Sequence, residues 1–399
     1  MLAGTFVEDR MLEHGGVTRF YDAFLPDGLA PGGPLLIAFH GGTLSNQSLR
    51  GGASAELFRL ADENGAVVLL PNGTDGSGAT GPTGSFNWND CRADAGPAST
   101  PSDDVGFVSA LIDAAIGEYA IDPTRVYALG ASNGGLMTYR LLLELSDRIA
   151  AGAAAIANLP VNSECRTEPE APRSVLIMNG TADPIMPFAG GNVAANRGAI
   201  VSSDATRDFW RGFLATADTP QVLDFPDLDP NDGGTVRREI WPGGRGGTEV
   251  RYYRVEGGGH NLPSIAFPQG TAQNHDVEAV SEMWSFLLAQ RLGLDGPPRA
   301  GVQIQPGGGR VLVSKDVGAE RWAIVRDESD GTVTGNVFIA GETTPRFVFC
   351  REIATNPSSA EITYDCRGAA QCVEAPCDPA GWVSLGEVRI SATFFFPPF

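Results

Sequence analysis

Ser132 is the residue whose surroundings most clearly indicate chemistry. It is the centre of the pentapeptide GASNG (residues 130–134), which follows the apolar run 125–129 and precedes the helix-like run 136–143. A G-x-S-x-G pattern between a strand and a helix is typical of a nucleophile elbow, a sharp turn that exposes the serine hydroxyl. Glycines flank the serine because no side chain fits where the two arms of the turn approach each other. The spacing therefore predicts Ser132 as a nucleophile.

A serine nucleophile needs a base to take its proton and an acid to orient that base. Of the four histidines, His260 ends a late strand-like segment, in a loop with three glycines that can carry an imidazole over the serine. Asp183 follows the strand-like segment 174–178 and falls between Ser132 and His260 in chain order. We predict His260 as the general base and Asp183 as its partner. The alternatives are a structural histidine and a loop aspartate before Pro184.

The tetrahedral intermediate of such an attack needs hydrogen-bond donors for its oxygen. Residues 40–43 (HGGT) follow the first apolar strand-like run, where hydrolases with this motif place an oxyanion-hole loop. We predict that a backbone N–H of Gly42 or Thr43 acts together with the N–H of Asn133. His40 itself is predicted to be a packing or hydrogen-bonding residue.

The composition excludes several other chemistries. Lys315 is the only lysine, so no serine–lysine dyad, P-loop lysine or lysine Schiff base can form near Ser132. The histidines and the six cysteines lack the spacing of zinc sites. The net charge of -20 argues against nucleic acid and anionic membrane surfaces as partners, and no apolar run has the length of a membrane span. We predict neither a metal nor another cofactor.

Residues from about 18 to 292 alternate strand-like and helix-like segments, which predicts an α/β fold with a mainly parallel sheet covered on both faces. The clearest helix is 103–119, with Ser102 as a suitable N-cap. The Gly-, Asp- and Pro-rich stretch 189–248 interrupts this alternation, and we expect it to lie above the sheet edge and shape a cleft. Its acidic part, 224–232, fits no EF-hand loop and is predicted to be a solvated turn rather than a calcium site.

A linker-like sequence at 293–298 separates two predicted domains, an α/β domain at 1–296 and a smaller all-β domain at 299–399. Short β-rich runs with turn signals between them predict a small antiparallel sandwich or barrel in the second domain. Its aromatic residues could dock a polymer surface, although core packing or an interface with the first domain is the favoured explanation.

The even number of cysteines favours disulfides in an exported protein. We expect a Cys91–Cys165 bridge and two local bridges among the last four cysteines. The N-terminus lacks a basic segment followed by an apolar run, so we expect a secreted protein, extracellular or periplasmic, whose signal peptide has been removed.

Seven motifs recur in an order that resembles the polyhydroxybutyrate depolymerase and feruloyl esterase group of secreted α/β-hydrolases. The resemblance covers roughly residues 18–292 and rests on His40-Gly41-Gly42, Trp88-Asn89, 103–107, 121–127, 130–135, 179–184 and 257–260. It implies ester hydrolysis through an acyl-enzyme, with Ser132, Asp183 and His260 as the triad and no metal. It also implies that Trp88 lies near the acyl or leaving-group pocket, with core packing as the alternative.

The chain departs from this group at two places. Relatives usually carry a tryptophan two positions after the catalytic histidine, lining the cleft, and here that position is Leu262. Relatives also commonly have a cysteine pair around the stretch before that histidine, and this chain has none there. A smaller, non-aromatic wall at Leu262 puts the usual substrate of the group in question.

The leading hypothesis is a secreted serine carboxylesterase that acts on polyester or on an ester-decorated polymer. A feruloyl or acetyl esterase of plant cell wall polysaccharide is the alternative within that class. A serine peptidase of the same fold would use the same triad, and a non-catalytic binding protein is disfavoured because each triad position holds a competent residue. Nothing in the sequence predicts an oligomeric state.

Overall fold

A computed structural model of the chain describes residues 3–96, 101–267 and 272–292, together with the backbone of six strands beyond residue 292. The chain divides into two compact units, Met1–Leu292 and Gly293–Phe399.

The first unit is built on a ten-stranded sheet with the order β1-β2-β4-β3-β5-β6-β7-β12-β11-β10. Its six central strands, from β4 to β12 in this order, run parallel, and the two strands at each edge pair antiparallel. The strands are β1 (Thr5–His14), β2 (Val17–Leu25), β3 (Leu35–Phe39), β4 (Val67–Pro71), β5 (Val126–Ala131), β6 (Ala151–Ala155), β7 (Ser174–Gly180), β10 (Gln221–Asp224), β11 (Thr235–Trp241) and β12 (Val250–Glu256), with a separate pair β8 (Gly191–Asn192) and β9 (Ala199–Ile200).

Helices cover both faces of this sheet. They are α1 (Glu56–Glu63), α2 (Asp104–Tyr119), α3 (Asn133–Glu144), α4 (Ser203–Leu214) and α5 (Ala279–Leu288). One buried cluster packs α2, α3 and α4 against the sheet, and a second packs α1 and α5 against the other face. The strands β3 to β7 are buried along their whole length or nearly so because each is covered on both sides. The predicted α/β class with a mainly parallel sheet is confirmed.

The structure differs from the prediction at the sheet edge. The stretch 189–248 was expected to lie above the edge, yet β10 and β11 extend the sheet itself. Only two residues of β11, Val236 and Trp241, are buried, so its sequence carries too weak an apolar pattern to predict a strand. The N-cap of α2 is Asp103 instead of Ser102, because the Asp103 carboxylate accepts the N–H of Gly106 at 2.9 Å.

The second unit contains six described strands that pair antiparallel in chain order. They are β13 (Arg310–Val317), β14 (Glu320–Asp327), β15 (Val333–Ile339), β16 (Arg346–Asn356), β17 (Glu361–Ala369) and β18 (Trp382–Ser391). Cys350 and Cys366 lie opposite each other in the register of β16 and β17. Cys372, Cys377 and the side chains of the other two cysteines lie outside the described residues, so the two local bridges stay predictions.

The predicted disulfide between Cys91 and Cys165 is confirmed, with the two Cα atoms 5.5 Å apart. It closes a loop of 74 residues and so restricts the unfolded chain, which is worth about 4 kcal/mol on the chain-entropy estimate. In the folded protein it joins the loop before α2 to the loop after β6.

Among the described residues, we find no helix with the length and apolar character that crossing a bilayer requires.

His40 links the end of β3 to the loop after β4. Its buried ring accepts the N–H of Gly73 at Nε2 (3.1 Å), and Nδ1 donates to the carbonyl oxygen of Gly41 (2.8 Å). Burial lowers the pKa of His40 from 6.5 to about 4, because a charged imidazolium would lose its water. The ring is therefore neutral in the folded protein at neutral pH.

We expect His40 to make the free energy of unfolding depend on pH. Its folded pKa lies below the unfolded value of 6.5, so its contribution is complete above pH 6.5 and is lost as the pH falls towards 4. The full loss is about 3 kcal/mol. Urea unfolding of the wild type and of His40→Gln at pH 7 and pH 4.5 measures it. The stability difference between the two proteins should shrink by about 2–3 kcal/mol at the lower pH, and an equal difference at both pH values would contradict the expectation.

Candidate active site

Ser132 lies on a turn between β5 and α3 that leaves no room for side chains. Its φ of 58° and ψ of -125° are strained for a residue with a side chain. A Cβ atom at Gly130 would lie 2.2 Å from the carbonyl oxygen of Gly134, and a Cβ at Gly134 would lie 2.3 Å from that of Phe39. Both glycines of the motif are therefore required by contacts with backbone. The result is a serine raised above the end of β5 at the N-terminus of α3.

Ser132, His260 and Asp183 form a continuous chain of hydrogen bonds. The Oγ of Ser132 lies 3.1 Å from Nε2 of His260, and Nδ1 of His260 lies 2.7 Å from Oδ2 of Asp183. The side chain of Asp183 is 1% exposed, and its other oxygen accepts the N–H groups of Ile185 (2.7 Å) and Met186 (2.8 Å). An ionised carboxylate only accepts, so Nδ1 carries the proton and Nε2 is free to accept from the serine hydroxyl.

The loop that carries His260 is held against the end of β7. The N–H of Ala182 donates to the carbonyl oxygen of Gly258 at 3.0 Å. A Cβ at Gly180 would lie 2.3 Å from the same oxygen, so only glycine allows the two segments to approach this closely. Asp183 and His260 are thereby held together although 77 residues separate them.

The predicted oxyanion donors differ in whether their N–H groups already donate hydrogen bonds within the protein. The N–H of Thr43 donates to the carbonyl oxygen of Phe86 at 2.8 Å and to Oδ1 of Asn87 at 3.1 Å, so it is engaged within the protein. Within the described part of the chain, we find no acceptor for the N–H of Gly42. Asn133 begins α3, so its N–H has no partner inside the helix. A Cβ at Gly42 would lie 3.4 Å from Cβ of Asn133, which places these two residues side by side next to Ser132.

Trp88 is fully buried and cannot contact a substrate in this structure. Its Nε1 donates to the carbonyl oxygen of His40 at 3.0 Å, and its ring packs edge-on against Phe39. The core-packing alternative therefore describes Trp88, whose contacts support the loop that carries Gly42.

Leu262 is half-buried and lines an apolar cavity of about 20 Å³. Three residues of the cavity wall lie next to the loops of the site. Phe39 precedes the loop at 40–43, Ala131 precedes Ser132, and Leu262 follows His260 by two positions. The full lining is Phe39, Leu49, Ser54, Leu57, Leu129, Gly130, Ala131, Ala155, Leu262, Val280 and Met283. The lining is apolar apart from Ser54, and none of the three triad side chains is part of it.

Sequence reasoning missed the polar residues around Trp88. Asp90 and Arg92 form a fully buried ion pair at 2.7 Å, and Asp90 also accepts a hydrogen bond from the side chain of Asn133. The signal was the run Asn87-Trp88-Asn89-Asp90, whose polar residues are unusual in a segment that ends in a disulfide cysteine. Charged residues this deep are rare unless they are paired.

Among the described residues, Asp229, Asp232 and His275 bring three potential metal-binding atoms within 4.8 Å of one another. The protein itself already uses these atoms. Asp232 accepts the N–H groups of Gly234 and His275, and Asp229 pairs with Nδ1 of His275 at 3.0 Å. These hydrogen bonds give Asp229 and Asp232 partners within the protein.

Comparison with known proteins was made at the level of sequence and of structure. No family model matches the sequence. NocK of Nocardia uniformis, which has been assigned as an esterase, is 29% identical over 63% of this chain and 73% of its own length. Feruloyl esterase B of Piromyces equi is 28% identical over 61% of this chain, which spans 42% of that protein. Poly(3-hydroxyalkanoate) depolymerase C of Paucimonas lemoignei is 24% identical over 68% of this chain and 66% of its length.

Among solved structures, an acetyl xylan esterase from Aspergillus awamori aligns with a TM-score of 0.46 at 13% identity, over 65% of this chain and 96% of that one. The sequence relatives include feruloyl esterases, a bifunctional acetylxylan esterase and xylanase, and the depolymerase. The chain is a homologue of these carboxylic ester hydrolases, and its predicted resemblance to the polyhydroxybutyrate depolymerase and feruloyl esterase group of α/β-hydrolases is confirmed.

Proposed function

We propose that the first unit is a serine carboxylesterase that works through an acyl-enzyme. The observation that carries this proposal is the hydrogen-bonded chain from Ser132 through His260 to Asp183, at the carboxyl ends of β5, β12 and β7. The similarity to esterases in sequence supports the same conclusion independently.

In the proposed mechanism, Oγ of Ser132 attacks the ester carbonyl carbon while Nε2 of His260 takes the hydroxyl proton. Asp183 stabilises the imidazolium that forms. The N–H groups of Gly42 and Asn133 bind the oxyanion of the tetrahedral intermediate. Collapse of this intermediate breaks the ester C–O bond, and His260 returns its proton to the leaving alcohol. Water then repeats the sequence on the acyl-enzyme and releases the acid.

His40 supports this mechanism as a positioning residue. The carbonyl group of Gly41 and the N–H of Gly42 belong to one planar peptide unit and point in opposite directions. Nδ1 of His40 holds that carbonyl oxygen at 2.8 Å, so it fixes the direction in which the Gly42 N–H points.

For the substrate, we propose an ester of a short aliphatic acid within a polyester or an ester-decorated polymer. The wall at Leu262 supports this choice, because an aliphatic side chain two positions after His260 offers no ring on which an aromatic acid could stack. A feruloyl or acetyl esterase is the second candidate, supported by the relatives that carry those names.

We further propose that the protein is secreted and that residues 299–399 help it to bind a polymeric substrate. The Cys91–Cys165 disulfide supports an oxidising location, since such bridges are rare in reducing compartments. The polymer-binding role is supported by the aromatic residues of this segment, among them Trp322 and Trp382.

The first test is covalent labelling of the nucleophile. A serine-reactive phosphonate should add to Ser132, detected by peptide mass spectrometry, and Ser132→Ala should lower kcat on p-nitrophenyl acetate by about 10⁴-fold or more. Thermal unfolding of the variant should match the wild type within about 1 kcal/mol, because a single hydroxyl is removed. Turnover retained by Ser132→Ala would refute the assignment.

The second test compares substrates. We expect clearing of an aliphatic polyester suspension and cleavage of p-nitrophenyl acetate and butyrate. We expect kcat/KM for methyl ferulate to be at least about tenfold lower than for a short aliphatic ester, since Leu262 offers no aromatic ring for ferulate to stack on. A chromatographic assay of ferulate release gives the comparison. Faster release of ferulate would instead favour the second candidate, and cleavage of peptides alone would indicate a peptidase.

The third test separates the two hydrogen bonds of His40. His40→Asn places an amide nitrogen at the position of Nδ1 and keeps the bond to the Gly41 carbonyl. His40→Gln places its amide at the position of Nε2 and keeps only the bond from Gly73. We expect kcat to fall by about tenfold or more in His40→Gln and by much less in His40→Asn, because misdirecting an oxyanion donor weakens transition-state binding. Equal losses in the two variants would mean that His40 acts only through packing.

A further inference from the structure

We propose that Asp90 and Arg92 are positioning residues for the oxyanion hole: Asp90 fixes Asn133, and Arg92 cancels the charge of Asp90 next to the developing oxyanion. The inference rests on the proposed role of the Asn133 N–H, and it goes beyond the triad because neither residue belongs to it. Both side chains are almost completely buried, 0% exposed for Asp90 and 2% for Arg92.

The side chain of Asn133 is held by three hydrogen bonds. Its Oδ1 accepts the N–H of Trp88 at 2.7 Å, and its Nδ2 donates to the carbonyl oxygen of Trp88 at 3.2 Å and to Oδ2 of Asp90 at 2.6 Å. Asparagine at the first position of a helix otherwise competes for backbone partners and has several rotamers. With all three bonds made, the residue has one conformation, and the direction of its backbone N–H is fixed with it.

Asp90 and Arg92 form a closed pair. Nε of Arg92 lies 3.1 Å from Oδ1 and 3.0 Å from Oδ2 of Asp90, and a terminal nitrogen lies 2.7 Å from Oδ2. The other terminal nitrogen donates to the carbonyl oxygen of Arg197. Desolvating two charges offsets most of what their attraction contributes, and apolar residues often stabilise a core equally well. Stability alone therefore gives little reason for this pair.

The location of Asp90 and Arg92 next to Asn133 explains why both residues are charged. A carboxylate makes a stronger and shorter hydrogen bond to the amide of Asn133 than a neutral acceptor would. Only the side chain of Asn133 separates the negative charge of Asp90 from the backbone N–H of Asn133. In a site with little water, this charge would destabilise the negative charge of the tetrahedral intermediate. Arg92 neutralises the charge of Asp90, and the hydrogen bond that Asn133 donates to Asp90 remains.

The same segment also holds the second donor. Phe86 and Asn87 accept the N–H of Thr43, and Trp88 donates to the carbonyl oxygen of His40, so residues 86–88 fix both ends of the loop that contains Gly42. Cys91 lies between Asp90 and Arg92 in the sequence and anchors this segment through its disulfide. Residues 86–92 therefore connect both N–H groups of the oxyanion hole to one rigid piece of chain.

Two neutral double variants test the positioning role. Asp90→Asn with Arg92→Gln removes both charges and keeps an acceptor for Asn133, whereas Asp90→Leu with Arg92→Met removes the acceptor as well. Neither leaves a buried charge unpaired, so both are expected to fold. We expect kcat on p-nitrophenyl acetate within about threefold of the wild type for the first and about tenfold or more below it for the second, with KM nearly unchanged in both. Equal kcat values for the two would overturn the positioning role.

The single variant Arg92→Gln tests the charge balance. We expect kcat to fall by about 10- to 100-fold, and the affinity for a trifluoromethyl ketone, which forms a negatively charged adduct with the serine, to fall in parallel. Adding Asp90→Asn should restore both. The matched control is Arg50→Gln, which removes the arginine from Asp22, another fully buried carboxylate. It should lower stability and leave kcat unchanged.

All rates are normalised to the fraction of protein that a phosphonate labels, so that unfolded material does not count. Two results would overturn the proposal. One is a loss of kcat in Arg92→Gln that is no larger than the loss in Arg50→Gln. The other is a loss of kcat in Arg92→Gln that the additional change Asp90→Asn does not restore. A wild-type protein that reacts with neither phosphonate nor ester would overturn the proposed esterase function itself, and the positioning role with it.

Discussion

The close approach of two backbone segments at the nucleophile is the constraint on which the rest of the site depends. Gly130 and Gly134 touch through backbone atoms, and Ser132 between them has a positive φ. Such a conformation costs about 1–3 kcal/mol and persists only where the surrounding structure fixes it. Here the N–H of Ser132 donates to the carbonyl oxygen of Ala155 at 2.9 Å, and β5 lies between two parallel neighbours. The sheet therefore holds the turn in a conformation that the residues of the turn alone would not favour.

The parallel sheet also explains how residues far apart in sequence meet. His40, Ser132, Asp183 and His260 follow β3, β5, β7 and β12, and all four strands present their carboxyl ends at the same edge. One strand, β6, separates β5, which precedes Ser132, from β7, which precedes Asp183, and β12 lies directly beside β7. His260 thus approaches Ser132 from a loop that crosses the end of β7. Three glycines make that crossing possible without a side chain in the way.

The sequence was sufficient to predict whatever depends on local pattern. The elbow, the helix after it and the buried strands each have a short, contiguous signature, and the chain order of Ser132, Asp183 and His260 predicts that they meet. Features that depend on contacts between distant segments could not be predicted in this way. Whether Thr43 has a free N–H depends on Phe86, and whether Trp88 faces the cleft or the core depends on His40. The edge strands β10 and β11 could not be predicted because strands that bury at most two residues show no regular apolar period.

The proposed oxyanion donors and the wall around Leu262 are built from different kinds of contact. The groups proposed to bind the oxyanion are backbone N–H groups, held in place by a buried asparagine, a neutral histidine and an ion pair. Each of these polar groups would leave an unpaired partner behind if it changed, which is costly in a buried site. The wall beside them is apolar, and Leu262 there is only half-buried. Exchanging one apolar side chain for another at such a position changes shape at a small cost in stability. On the proposed function, a substitution in this wall changes the acid that is accepted and leaves the acyl-transfer residues in place.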